Sequence, residues 1–306
     1  MTSSKAVEIV GVPMDLGANI RGANLGPAAI RIAKLHESIK VLGYEVFDDG
    51  DIPVPVRETI SSDDAKQSYL KIIEDICRQT RDKCFQALEL NRIPVMLGGD
   101  HSAAIGSIAG VSQWMKKNKG KRPGCIWVDA HADMNTPGSS PSGNIHGMPL
   151  STALGSGYDS LVSLGGDDPC LLPENTVLIG IRSIDHEEAR LCKESGIRYY
   201  SMRDIDEKGM VTVIQEAIAW AGNGTSGIHL SFDLDGVDPI YAPGVSTPVT
   251  GGLSYREAHL MLEMIAESRK LCSMDFVELN PMTDRDHKSA FLMVELIQSA
   301  LGKSII

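Results

Sequence analysis

The chain has 306 residues, of which 42% are hydrophobic and 23% charged, so there is enough apolar material for a sizeable core and no bias toward disorder. Its net charge of −11 argues against general binding to nucleic acid or to an anionic membrane surface, although bound cations could neutralise part of it. The six cysteines form no CxxC or CxC pair, no uncharged apolar run approaches the roughly 20 residues that span a bilayer, and the first residues show no signal-peptide pattern, which together point to a reducing, cytoplasmic setting.

A strand is expected at 7–12. A helix at 26–42 follows, with Pro27 fitting its first turn. Next come a strand at 45–48, a long helix at 62–91, a strand at 94–97 and a helix at 102–117. Strands at 125–129 and 176–181 precede a helix at 186–195. A strand at 198–200, a helix at 210–221 and a strand at 229–233 lead to a helix at 254–267. There Ser254 can N-cap, with Glu257 as its capping-box partner. A strand at 274–279 and a helix at 287–301 close the series. Several strands show little polar alternation, as expected when both faces are covered. Strand–helix alternation along the whole chain means an α/β protein, with a mostly parallel sheet and helices on both faces. No linker, repeat or low-complexity tract divides it. The Gly/Pro/Ser-rich stretch 136–147, the segment 183–188 and the segment 238–252 each follow a strand's C-terminal end, where α/β folds build their sites.

Three clusters of aspartate and histidine lie at such strand ends. They are Gly98-Gly99-Asp100-His101-Ser102, Asp129-Ala130-His131-Ala132-Asp133 and Asp233-Leu234-Asp235-Gly236-Val237-Asp238. Residues two apart in extended chain point to the same side, so Asp129, His131 and Asp133 can converge, as can Asp233 and Asp235. A lone aspartate at a strand end is usually a turn residue or a helix cap. Four carboxylates gathered without a cation, however, would repel one another and be costly to bury. With His101 and His131, the set offers ligands for two divalent cations that share carboxylates. It is rich in oxygen, has two imidazoles and no thiolate, and so favours Mn(II) over Zn(II). Two such ions about 3.5–4 Å apart lower the pKa of a shared water, which predicts a binuclear metallohydrolase.

Other features carry less. Gly98-Gly99 is no P-loop, because the GxxxxGK[ST] pattern is missing, and its expected role is close backbone approach. Leu164-Gly165-Gly166-Asp167-Asp168 is expected to be a surface turn. Cys77 and Cys84, seven apart in a helix, are expected to share its buried face. His36, His186, His229, His259 and His287 are assigned no metal.

In this order the clusters resemble the ureohydrolase family, the arginases and their relatives. The resemblance spans nearly the whole chain. It includes Arg21-Gly22, Gly26-Pro27-Ala28-Ala29-Ile30-Arg31, Ala242-Pro243-Gly244 and Glu278-Leu279-Asn280-Pro281. The segments 142–149 (SGNIHGMP) and 247–257 (TPVTGGLSYRE) resemble the bacterial-type arginase branch in particular. Agmatinase-like members usually carry a glutamate where Val249 stands. The resemblance implies one domain, 1–306, around an eight-stranded parallel sheet, which agrees with the eight strands counted above.

It also implies two Mn2+ per subunit held by His101, Asp129, His131, Asp133, Asp233 and Asp235. The implied reaction is hydrolysis of L-arginine to L-ornithine and urea by a hydroxide shared between the metals. Asn135, Ser142 and Asn144 would hold the α-carboxylate of L-arginine, Asp185 its α-amino group, and Glu278 its guanidinium. These roles suit the residue types: amides and hydroxyls donate to a carboxylate, and an anion accepts from a planar cation. His146 would move protons near neutral pH, and Asp133 would take one as the intermediate collapses. A homo-oligomer, trimer or hexamer, is implied as well. Around Asp185, Ser183 stands where many arginases have an aspartate. Two alternatives remain. One is a ureohydrolase acting on agmatine or a guanidino acid, which would leave Asn135, Ser142 and Asn144 without an anion. The other is a catalytically silent regulatory homologue, although all six ligands and His146 are present.

Overall fold

The computed structural model describes residues 5–60 and 65–303. Eight strands form one all-parallel sheet: β1 (Ala6–Val12), β2 (Glu45–Asp51), β3 (Ile93–Gly98), β4 (Gly124–Val128), β5 (Thr176–Ile181), β6 (Arg198–Ser201), β7 (Ile228–Asp233) and β8 (Leu271–Val277). Their order across the sheet is β2-β1-β3-β8-β7-β4-β5-β6. Every pair is parallel, so the strands' C-terminal ends share one edge.

The helices are α1 (Gly26–Ile32), α2 (Leu35–Lys40), α3 (Ala65–Glu89), α4 (Ala104–Lys119), α5 (Pro149–Ala153), α6 (Asp159–Val162), α7 (His186–Ser195), α8 (Met202–Lys208), α9 (Met210–Ala221), α10 (Tyr255–Glu267) and α11 (Lys288–Ala300). Two cores flank the sheet. Ile126 and Val128 pack into one with residues of α1, α2, α9, α10 and α11. Cys125 and Trp127 pack into the other with residues of α3, α4 and α5. Alternate residues of β4 thus feed opposite cores, and that explains the strand's unbroken apolar run.

The expected helix 26–42 is two helices. Lys34 adopts a left-handed conformation (φ 67°) between α1 and α2, and this reorients the chain so that Leu35 and Ile39 bury completely. No glycine or proline marks that break. The long helix is found as α3, and residues 62–64 of the expected span lie outside the described residues. β8 ends at Val277, earlier than the expected 279, because Glu278 turns out of the ladder at φ 63°. α8 was not expected, although Ser201 and Asp204 form a capping box at its start. The 164–168 segment is only partly a surface turn: Leu164 and Gly165 are buried within a short 3-10 helix. Cys77 and Cys84 do share the buried face of α3.

The Ser254 capping box is present. The Glu257 amide donates to Ser254 Oγ at 3.2 Å, and the Ser254 amide donates to Glu257 Oε2 at 2.8 Å. Ser254→Ala is expected to lower unfolding free energy by about 1 kcal/mol in urea titration while metal content stays unchanged. A wild-type midpoint in that variant would show that the cap contributes nothing.

Candidate metal centre and adjoining cavity

The four central strands, β3, β8, β7 and β4, are neighbours, and their C-terminal ends carry the three clusters and Glu278. At the end of β3 the chain must pass tightly against the segment that follows β1. A Cβ on Gly99 would lie 1.8 Å from the Met14 carbonyl oxygen, so glycine is required there by close approach. Asp100 fixes the same turn and is no candidate ligand. Its carboxylate accepts from the amides of Gly17 (2.7 Å) and Ser102 (3.0 Å). His101 is thereby delivered to the sheet edge.

Asp129 lies between the two histidines. Its Oδ2 is 3.2 Å from His101 Nδ1, and its Oδ1 is 3.3 Å from His131 Nδ1. His101 Nδ1 also faces Asp133 Oδ2 (3.0 Å) and Asp233 Oδ2 (3.2 Å), and His131 Nδ1 faces Asp235 Oδ2 (3.2 Å). Two ligand groups result, His101–Asp129–Asp133 and Asp129–His131–Asp235, joined by the Asp129 carboxylate. Asp233 adjoins the first. All six predicted ligands therefore converge.

Backbone strain accompanies this convergence. Asp133 sits at φ 53°, a conformation uncommon outside glycine, and its carbonyl is anchored by the amides of Leu150 and Ser151. His101 Nε2 meets Ser231 Oγ at 2.8 Å. In the tautomer with its hydrogen on Nε2, His101 donates to Ser231 and presents the Nδ1 lone pair to the carboxylates, the form that cation ligation requires.

The electrostatics match a site for cations. Burial pushes Asp133 up to about 6, with repulsion from Asp129 adding to it. Burial, then Asp235 and Asp129, push Asp233 well above the usual carboxylate range, and Asp235 is raised by burial and Asp129. Asp129 is held low: burial alone would raise it, but His101 and His131 outweigh that. His131 is pushed up to about 12, since Asp129 and Asp235 overcome the effect of burial. His101 Nδ1 and Asp133 Oδ2 are buried and neither has a hydrogen-bond partner, a costly arrangement that cation ligation would relieve. The donors present, four carboxylates and two imidazoles, fit a pair of divalent cations in charge and in ligand type.

Beside this cluster lies a cavity of about 300 Å³. His101, His131, Asp133, Asp233 and Asp235 form its floor, while Asn135, Ser142, Asn144, His146 and Asp185 line the rest. Asp129 and Glu278 lie deeper, each 1% exposed. Asn135 Nδ2 donates to Asp185 Oδ2 at 2.9 Å, and Asp185 Oδ1 accepts the Glu188 amide at 2.8 Å as the N-cap of α7. Asp185 thus ties the 134–149 loop to α7 and is a helix cap as well as a cavity residue. Burial is the largest single influence and raises its pKa, but Asn135 and the α7 amides together outweigh it and hold Asp185 below the usual range.

Glu278 Oε1 accepts the His101 amide at 3.0 Å and meets His146 Nδ1 at 3.2 Å, while its Oε2 is buried without a partner. Burial pulls the His146 imidazole down, yet Glu278, then Asp100 and Asp133, push it up to about 9.

Sequence reasoning missed five residues at this site. Glu188 lines the cavity, accepts the Met134 amide at 3.0 Å and is pushed up to about 7 by burial and Asp133. Thr247 also lines it and donates to Asp235 Oδ2 at 2.9 Å. Among the described residues Arg182 donates to carbonyl oxygens only, including Asp235 O (2.7 Å) and Val249 O (2.7 Å), and so fastens the 238–252 segment beside the Asp235 cluster. Trp127 stands on β4 two residues before Asp129, which follows that strand, and Ser231 stands two before Asp233 on β7, so period-two alternation could have pointed to both.

A sequence profile described as the arginase family matches residues 5–302. The chain belongs to the arginase family. An arginase from Bacillus subtilis (strain 168) is 45% identical over 302 residues, covering 99% of both chains. The native crystal structure of Bacillus caldovelox arginase superimposes with a TM-score of 0.93 at 45% identity, over 99% of this chain and 100% of that one. Entamoeba histolytica arginase, solved in complex with L-ornithine, does so with a TM-score of 0.88 at 33% identity, over 98% of each chain. Membership in the arginase family also accords with the sheet, whose eight parallel strands are those expected.

Proposed function

We propose that this arginase-family protein hydrolyses L-arginine to L-ornithine and urea at a centre of two Mn2+ held by His101, Asp129, His131, Asp133, Asp233 and Asp235. The observation that carries the reading is one cavity with the two joined ligand groups on its floor and a polar rim of amide, hydroxyl and carboxylate groups opposite. Two dications bound there would supply a water that is nucleophilic at neutral pH.

The chain's own residues do the rest. Ser142 and Asn144, with Asn135 behind them, offer donors to an α-carboxylate. Asp185 offers an anion to an α-ammonium group. Glu278 is a buried carboxylate against the His101 backbone, and its unpartnered Oε2 can accept guanidinium N–H. His146, 3.2 Å from Glu278, carries a proton at Nδ1 or Nε2 and delivers it to the departing amine. Asp133 accepts one on the metal side. The Entamoeba arginase bound to L-ornithine supports this choice of product.

The reading treats 1–306 as one ureohydrolase domain that works in the cytoplasm as a trimer or hexamer, with Arg256, exposed near the start of α10, as a candidate subunit contact. Among the described residues no helix is long and apolar enough to cross a membrane.

Urea release from protein preloaded with Mn(II) tests the proposal, comparing L-arginine with agmatine and guanidinobutyrate. A strong preference for L-arginine supports it. Preference for either of the others overturns the assignment of the 135–146 rim and leaves the metal centre standing, and no urea from any of them favours a regulatory homologue. Within the rim, Asn144→Ala is expected to lower kcat/KM for L-arginine about 10- to 100-fold, chiefly through KM, since it removes a ground-state contact. An unchanged kcat/KM would count against the carboxylate assignment. Chelation with EDTA should abolish urea release, and Mn(II) should restore it. Full activity in metal-free protein would end the metallohydrolase reading.

A further inference from the structure

Residues 13–22, which follow β1, carry the Arg21-Gly22 pair, and none of them lines the cavity. Met14, Asp15, Leu16 and Ala18 are buried within this connector. Its first half is tied to the loop that carries His146. The His146 amide donates to the Gly17 carbonyl at 3.2 Å, and the Gly17 amide donates to Asp100 Oδ2 at 2.7 Å. Its second half is tied to the chain just after Glu278. Asn280 Nδ2 donates to the Arg21 carbonyl at 2.9 Å, and a Cβ on Gly22 would lie 2.2 Å from Asn280 Oδ1. Gly22 also takes φ 118°, a conformation open chiefly to glycine. From outside, Arg57 Nη1 clamps the connector by donating to the Asp15 carbonyl at 3.2 Å and the Ala18 carbonyl at 2.9 Å. The contact of 3.2 Å between His146 Nδ1 and Glu278 Oε1 therefore closes a ring whose far side is this connector.

We propose that the 13–22 connector is a positioning element that holds the His146 imidazole at its distance from Glu278, with Gly17 as the residue that sets it. Glycine is required at 17 by space. A Cβ there would lie 2.6 Å from Ser102 Oγ, 2.9 Å from Asp100 Oδ1 and 3.1 Å from the His146 amide nitrogen. Gly17 is not in the left-handed region, so alanine at this position acts as a wedge and imposes no backbone strain of its own. The wedge pushes the His146 loop away from the Asp100 turn and from Glu278. A displacement of about 1 Å in a proton-carrying group can cost up to about 100-fold in rate. The proposal rests on the reading that His146 carries a proton during guanidine hydrolysis, and not on which guanidino compound is cleaved.

Steady-state urea release from Mn(II)-loaded protein tests it, measured for Gly17→Ala, for His146→Asn and for the two combined, with the guanidino compound that wild type cleaves best. Gly17→Ala is expected to lower kcat about 10- to 30-fold, with KM within about twofold of wild type. Bound manganese, by elemental analysis, should equal that of wild type. In the His146→Asn background the same substitution should cost less than about twofold, because the imidazole it displaces is already gone. An equal loss in both backgrounds would overturn the proposal, since a general disturbance of the fold has no reason to act through His146. So would a loss of bound manganese, which would place the effect on the turn that carries His101.

Should Gly17→Ala fail to fold, the connector can be loosened from outside at Arg57, whose guanidinium lies over the Tyr69 ring at 5.0 Å. Arg57→Met keeps an aliphatic stem and removes both donors to the connector. It is expected to lower kcat about 3- to 10-fold, and Arg57→Lys, which keeps a donor, should restore most of that rate. Wild-type kcat in Arg57→Met, or a loss that persists in full when His146 is also asparagine, would overturn the proposal. Preference for agmatine or guanidinobutyrate with the coupling to His146 intact would defeat only the arginine reading. Wild-type protein that releases no urea from any of these compounds would overturn both.

Discussion

Asp129→Asn is expected to lower kcat by at least about 1000-fold, equivalent to about 4 kcal/mol, and to cut bound manganese from two ions per chain to one at most. The substitution keeps the shape and removes one anionic oxygen from the only carboxylate common to both ligand groups. It also has no comfortable orientation. Asp129 Oδ1 accepts the His131 amide at 2.7 Å, and Oδ2 accepts Trp127 Nε1–H at 3.2 Å. An asparagine NH2 placed at either position would confront a buried donor. Metal content by elemental analysis, beside steady-state urea release, checks this. Two tightly held ions with activity within about tenfold of wild type would refute the bridging role.

Glu278→Gln should leave both metals bound and still reduce kcat/KM for L-arginine by about 100- to 1000-fold, or about 3–4 kcal/mol. The glutamine oxygen can still accept the His101 amide, so the backbone at φ 63° keeps its anchor. The charge that would pair with a guanidinium is gone. Protonation of His146 depends on the same charge. Burial lowers that imidazole, and contact with Glu278 is the main influence pushing it up to about 9. Without the carboxylate, His146 releases its proton at lower pH. Any limb of the rate profile that follows His146 therefore moves to lower pH, whatever constant shift the cations impose on both proteins. A profile that stays in place would separate His146 from the rate.

Much of this site is legible in the sequence because its ligands come in local groups. Asp129, His131 and Asp133 converge as spacing alone suggests, and Asp233 and Asp235 do the same. Partners brought together by the fold are harder to read. Glu188 belongs to the site only because α7 begins beside Met134, and Thr247 only because the 238–252 segment folds back onto Asp235. Trp127 is hidden for another reason: in composition it is ordinary core, and only its stacking plane and one N–H place it against His101 and Asp129. The break at Lys34 is invisible because a lysine carries no signal for left-handed backbone. It is imposed from outside, by the burial of Leu35 and Ile39.

β8 lies between β3 and β7, yet it is the last strand in the sequence. A chain emerging from the ribosome without it has one group of strands bearing His101 and another bearing the aspartates of β4 and β7, with no ladder joining them. The first ligand group draws on both, so it cannot close until residues 271–277 are made and inserted. Capture of cations by that group would then be a late folding event. A chain truncated before residue 271 should retain helical signal and fail to hold the metal pair.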